Sequence, residues 1–162
     1  NGALTIGTLD GANIEIRDHV GAENIFIFGL RAGEVEERRR AGLEASSVIA
    51  ASPELAEAIE AIETGVFSPD DAGRFAALMN ALRHSDYYMV TVDFDAYFAT
   101  QRSVERLWLS TFDWTRMSML NIARMAWFSS DRTIGEYAQD IWKVPFELPS
   151  KDRHGSFTSF QA

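Results

Sequence analysis

Asn1-Gly2-Ala3-Leu4-Thr5-Ile6-Gly7-Thr8-Leu9-Asp10-Gly11-Ala12-Asn13-Ile14-Glu15-Ile16 decides how the fold is read. Leu4-Thr5-Ile6 is a short apolar, β-branched run stopped by Gly7, the pattern of a buried strand. Thr8 to Asn13 is rich in turn formers. Ile25-Phe26-Ile27-Phe28, closed by Gly29, reads as a second strand. The stretch between them, Ile14 to Val20, is open to two readings. Ile14 and Ile16 alternate as in a strand, whereas Gly21 closes the segment like a helix stop. The first thirty residues are thus α/β.

Beyond residue 30 the pattern is mostly helical. Ser52-Pro53 is an N-cap with proline at the first helical position, followed by Leu55, Ala58, Ile59 and Ile62 at helical spacing up to Gly65. Ser68-Pro69 repeats that start signal ahead of a stripe of Phe75, Leu78, Met79 and Leu82. Tyr87 to Val92 reads as a short strand or an extended connector, and Asp93 as the cap of a helix running to Trp108. Thr111 to Phe128 is apolar over more than half its circumference, which predicts burial on several sides. Ser129-Ser130-Asp131 offers caps for a last helix, Ser130 to Trp142, with Ile134, Tyr137, Ala138, Ile141 and Trp142 on one face and Pro145 beyond it. Residues 148–162 read as a polar tail.

The 162 residues carry 15 Lys and Arg against 24 Asp and Glu, a formal net charge of −9, which is the wrong sign for gripping a nucleic-acid backbone. The one basic cluster, Arg38-Arg39-Arg40, follows Glu34, Glu36 and Glu37. The four-residue spacings Glu34/Arg38 and Glu36/Arg40 make it a solvated helix face. No apolar run reaches the length of a membrane span. The absence of cysteine excludes disulfides, thiolate zinc sites and a cysteine nucleophile. With no signal peptide visible, the expected compartment is the cytoplasm.

Individual residues offer little chemistry. Gly7 and Gly11, separated by Thr8-Leu9-Asp10, match neither a dinucleotide fingerprint nor a P-loop. They read as a tight strand-to-loop turn, or as a loop at the carboxyl end of a strand where open α/β sheets hold ligands, with Asp10 and Asn13 nearby. His19, His84 and His154 lack ligand spacing, so no metal site is expected. Asp93 and Asp95 are too close in sequence to indicate a glycosidase pair, and Ser129 and Ser130 lack the context of a nucleophile.

Longer strings carry more information. Asn1 to Ile16 closely resembles a signature of the α-glucan phosphorylases, the glycogen, starch and maltodextrin phosphorylase family. Asn24-Ile-Phe-Ile-Phe-Gly29 resembles the family's next strand. Trp114-Thr-Arg-Met-Ser-Met-Leu-Asn-Ile-Ala123 and Phe128-Ser-Ser-Asp-Arg-Thr-Ile-Gly-Glu-Tyr-Ala-Gln-Asp-Ile-Trp142 resemble its last two helices, in the same order. The resemblance is loose from Arg31 to Ala51 and absent in the tail.

The resemblance implies a fragment of a larger enzyme: residues 1–147 as the C-terminal portion of the second, Rossmann-like domain of a two-domain (GT-B type) glycosyltransferase. It implies transfer of a terminal α-1,4-linked glucosyl unit from a glucan to inorganic phosphate, giving glucose 1-phosphate. Pyridoxal phosphate is expected as a Schiff base on a lysine upstream of Asn1. This chain's own lysines, Lys143 and Lys151, match no cofactor motif, so no catalytic or cofactor-binding residue is assigned. Asn1, Thr8, Asp10 and Asn13 are expected to support the cofactor region without touching the cofactor, with Gly2 as a left-handed helix cap. The last helix would reach back to the first domain, the remainder of the same chain would be its main partner, and the whole enzyme would be a homodimer. The fragment alone is expected to be inactive and poorly stable, its strands lacking the rest of their sheet. The alternative is a non-catalytic helical interaction module binding a partner through its apolar faces.

Overall fold

The computed structural model describes residues 2–145. Two short strands, β1 (Ile6–Gly7) and β2 (Phe26–Ile27), pair in parallel with Ile6 beside Phe26 and Gly7 beside Ile27. The crossover between them is helix α1 (Ala12–Val20), which resolves the open segment in favour of helix. Gly21, at φ 91°, ends α1 where a side chain would be strained, and its N–H donates to the Arg17 carbonyl at 2.9 Å. A strand, a helix and a parallel strand form a βαβ unit.

The rest is helical: α2 (Ala32–Ala41), α3 (Ala45–Ala51), α4 (Pro53–Glu63), α5 (Ala76–His84), α6 (Val90–Trp108), α7 (Thr111–Arg124) and α8 (Ser130–Glu136). The core lies among α3 to α6, where Ile49, Leu55, Ile59 and Met79 are buried and Ile62, Leu82 and Phe94 pack around them. Helix α6 also packs on β2 and α7, and α7 packs on α1, so α6 joins the helical core to the βαβ unit. Ser52 caps α4 as its sequence foretells, accepting from the Leu55 N–H and donating to Asp95 Oδ1 at 2.6 Å. Among the described residues no helix is long and apolar enough to cross a membrane.

Several expectations are corrected. Ser68-Pro69 starts no helix. Successive turns through Gly65, Ser68 and Asp71, the last accepting from the Gly73 N–H, delay α5 to Ala76. The stretch from Tyr87 is neither a strand nor extended: Tyr87 and Tyr88 form a turn, and after a left-handed Met89 α6 begins at Val90, ahead of Asp93. Its cap is Asp86, whose carboxylate accepts from the N–H groups of Val90 and Thr91, both at 2.9 Å, and from the Thr91 hydroxyl. Of the two pairs expected on α2, Glu36–Arg40 forms at 3.0 Å, whereas Glu34 turns back to the Arg31 N–H. Helix α7 buries only Met117 and Asn121, leaving Met119 63% exposed, because α1 and α6 cover just part of its apolar circumference. The last helix is α8 followed by a wider π turn, Tyr137–Trp142, of which Ala138 is buried and Ile141 and Trp142 are exposed. The polar tail lies outside the described residues.

In α5 the buried position is Met79, whereas Leu78 is 55% exposed. Met79→Ala is therefore expected to cost about 2–5 kcal/mol and Leu78→Ala about 0.5 kcal/mol or less. Urea midpoints of the two variants check the difference.

Candidate functional site

The carboxyl ends of β1 and β2 lie side by side, each followed by a glycine-bearing loop. After β1, Thr8, Asp10 and Asn13 lie together in one turn. The Asn13 side-chain amide donates to the Thr8 carbonyl at 2.9 Å, and the Thr8 hydroxyl donates to Asp10 Oδ2 at 3.1 Å. Backbone bonds from the Asp10 N–H to the Thr8 carbonyl and from the Asn13 N–H to the Asp10 carbonyl, both 3.0 Å, close the turn and start α1. Gly7 permits this: a Cβ there would stand 2.5 Å from Asn13 Nδ2. The polar groups of the loop are spent largely on one another, and Asp10 is an exposed carboxylate. The loop from Thr8 to Asn13 carries no Lys or Arg that could hold a phosphate.

After β2, the Leu30 N–H donates to Asp93 Oδ1 at 2.8 Å, a link from α6 across 63 residues. Gly29, at φ 75°, brings the turn so close that a Cβ would sit 2.7 Å from the Asp93 carboxyl carbon. Burial pushes the Asp93 carboxyl above its ordinary range against the opposing Leu30 hydrogen bond; Asp86 and Glu34 push it the same way and Arg38 opposes. The folded chain therefore holds the Asp93 proton more tightly than the unfolded chain. The stability this contributes is complete below the unfolded pKa and lost as pH rises through the folded pKa. Asp93→Asn, whose amide oxygen still accepts from Leu30, is expected to be more stable than wild type at neutral pH, with the advantage disappearing on acidification. Thermal melts across that range check it; a less stable variant at neutral pH contradicts it.

A buried polar knot fixes the unit from behind. Asn24, fully buried, donates to the Val20 carbonyl at 2.8 Å, while Asn121 on α7 donates to the Asn24 carbonyl at 2.9 Å. The Arg124 guanidinium also reaches the Val20 carbonyl. Gly2 is left-handed at φ 81°, and its carbonyl accepts from the Ser118 hydroxyl of α7 at 2.7 Å. His19 stacks on Trp127 at 4.5 Å, a packing role. Asp93 and Asp95 serve different tasks, one holding Leu30 and the other Ser52.

Asn1 lies outside the described residues, as do Lys151 and His154. Among the described residues no group of three or more His, Asp or Glu could hold a metal ion. Nor do they fit pyridoxal phosphate. Lys143 is exposed in a left-handed position after the π turn, beyond the last helix, and the loop from Thr8 to Asn13 brings up no lysine. Sequence reasoning missed Asp86 and the Asn24–Asn121 knot, and it assigned Asp93 a different role.

The model of the carbohydrate phosphorylase family matches residues 1–144. A glycogen phosphorylase from Synechocystis is 49% identical over 144 residues, 89% of this chain and 17% of the relative. The human brain form of glycogen phosphorylase is 46% identical over the same length and shares. A glycogen phosphorylase from Haemophilus influenzae is 44% identical over 149 residues, 91% of this chain and 18% of the relative. The chain thus spans about a sixth of the length of these relatives.

Proposed function

This chain belongs to the carbohydrate phosphorylase family, and we propose that it is part of an α-glucan phosphorylase, supplying scaffold behind an active centre built mainly from other residues. The reaction is transfer of the terminal α-1,4-linked glucosyl unit of a glucan to inorganic phosphate, giving glucose 1-phosphate, in the cytoplasm. The observation that carries this reading is the family match across residues 1–144, with relatives named glycogen phosphorylase 46–49% identical over 89% of the chain.

Two phosphates held close together, the substrate's and that of pyridoxal phosphate, require cations and backbone N–H groups. The acidic balance of this chain and its cation-free loop favour placing those groups, and the cofactor lysine, elsewhere in the longer protein. Residues 1–147 then form the C-terminal portion of the Rossmann-like cofactor-side domain of a GT-B architecture, with 148–162 as a tail. Thr8, Asp10 and Asn13, with Asn1 before them, keep the end of β1 in shape beside the cofactor region. The exposed apolar residues of α7 and the π turn pack on the remainder of the same protein, which works as a homodimer. Glucose 1-phosphate formation from maltoheptaose and phosphate by the longer protein tests the reading. Its absence there, or turnover by these 162 residues alone, overturns it.

A further inference from the structure

Between the ends of β1 and β2 and the first turns of α6 lies a pocket of about 390 Å³, within the range of small-molecule sites. Its walls are aromatic: Phe28, Phe94, Tyr88 and Tyr97. Phe28 and Tyr97 meet edge to face at 5.2 Å, and the Tyr97 hydroxyl accepts from the Gln101 amide at 2.8 Å, so this wall is held in place. Tyr88 meets Tyr87 edge to face at 5.1 Å and is 79% exposed, so much of its ring lies open at the rim. Two polar side chains enter the lining, Thr8 from the end of β1 and Asp93 from α6. Asp93 Oδ1 is taken by Leu30, and Oδ2 has no hydrogen bond among the described residues.

We propose that this pocket is a glucan subsite that seats one glucosyl unit of the polysaccharide, with Tyr88 and Tyr97 against the apolar face of the sugar and Asp93 and Thr8 accepting from its hydroxyls. The inference rests on the phosphorylase reading and adds the place where this chain touches substrate. A sugar ring pairs an apolar C–H face with a rim of hydroxyl donors, and the pocket pairs aromatic faces with acceptors. An anion is disfavoured, because the one ionisable carboxyl in the lining is Asp93 and the lining holds no Lys or Arg. The position suits the role, since open α/β sheets bind ligands beyond the carboxyl ends of their strands.

The test compares Tyr88→Ala and Asp93→Asn with wild type in the longer protein, measuring KM for maltoheptaose and KM for phosphate separately. Each variant is expected to raise KM for maltoheptaose by about tenfold, equivalent to about 1.4 kcal/mol, with KM for phosphate held within about twofold. Isothermal titration with maltoheptaose is expected to show the same loss. An unchanged maltoheptaose KM in a wild-type background that turns over overturns the subsite alone. A joint rise of both KM values with a fall in Tm also overturns it, being the result expected if another part of the protein fills the pocket. No turnover by wild type overturns the phosphorylase reading and the subsite with it.

Discussion

Replacing Asp86 with alanine is expected to lower the stability of the folded chain by about 3 kcal/mol, the combined effect of three losses. The carboxylate caps α6 by accepting from the N–H groups of Val90 and Thr91, and a lost cap costs about 1 kcal/mol. The Thr91 hydroxyl, itself buried, loses its acceptor, which costs about 1–2 kcal/mol more. Asp86 also sits at φ 28°, a backbone conformation that Asp tolerates better than Ala. Asp86→Asn keeps one acceptor oxygen and the tolerance for positive φ, so its urea midpoint should fall between those of wild type and Asp86→Ala. Equal midpoints for all three would contradict the cap. The consequence reaches the site, because the first turn of α6 carries Asp93, which holds the end of β2.

Gly7→Ala is expected to lower kcat/KM of the longer protein for phosphorolysis by about a hundredfold, the scale of a displacement of about 1 Å beside a reacting centre. Gly7 does not need positive φ; it needs space. The added methyl would meet Asn13 Nδ2 at 2.5 Å, and that nitrogen is the donor that fastens the Thr8 carbonyl. Moving the Asn13 amide releases the turn that sets Thr8 and Asp10 at the end of β1. Asn13→Ala in the Gly7→Ala background is expected to add little further loss, since both changes break the same link. Independent, additive losses would show that Gly7 and Asn13 act separately.

The sequence shows features that depend on neighbours along the chain and hides those that depend on distant ones. Ser52-Pro53 was legible as a helix start because an N-cap acts on residues two and three positions ahead. Thr8 to Asn13 was legible as a turn because its residue types favour one locally, whereas the hydrogen bonds that tie Thr8, Asp10 and Asn13 together within it were not. Asp86 was hidden by Tyr87 and Tyr88, whose apolar, β-favouring character masks a cap. Met79 and Leu78 are adjacent on one helix, and only the direction of α3 and α4 decides which is buried. The strongly apolar surface of α7 reads as a helix buried on several sides, but among the described residues only Met117 and Asn121 of it are buried. Asp93 gains its meaning from Leu30 across 63 residues, and Asn121 from Asn24 across 97, distances over which periodicity carries no information.

Borohydride trapping of pyridoxal phosphate in the longer protein, followed by peptide mass spectrometry, asks most directly whether these residues support the active centre or form it. One stoichiometric adduct is expected on a lysine outside the 162 residues, with Lys143 and Lys151 unlabelled. A stoichiometric adduct on Lys143 or Lys151 would contradict it.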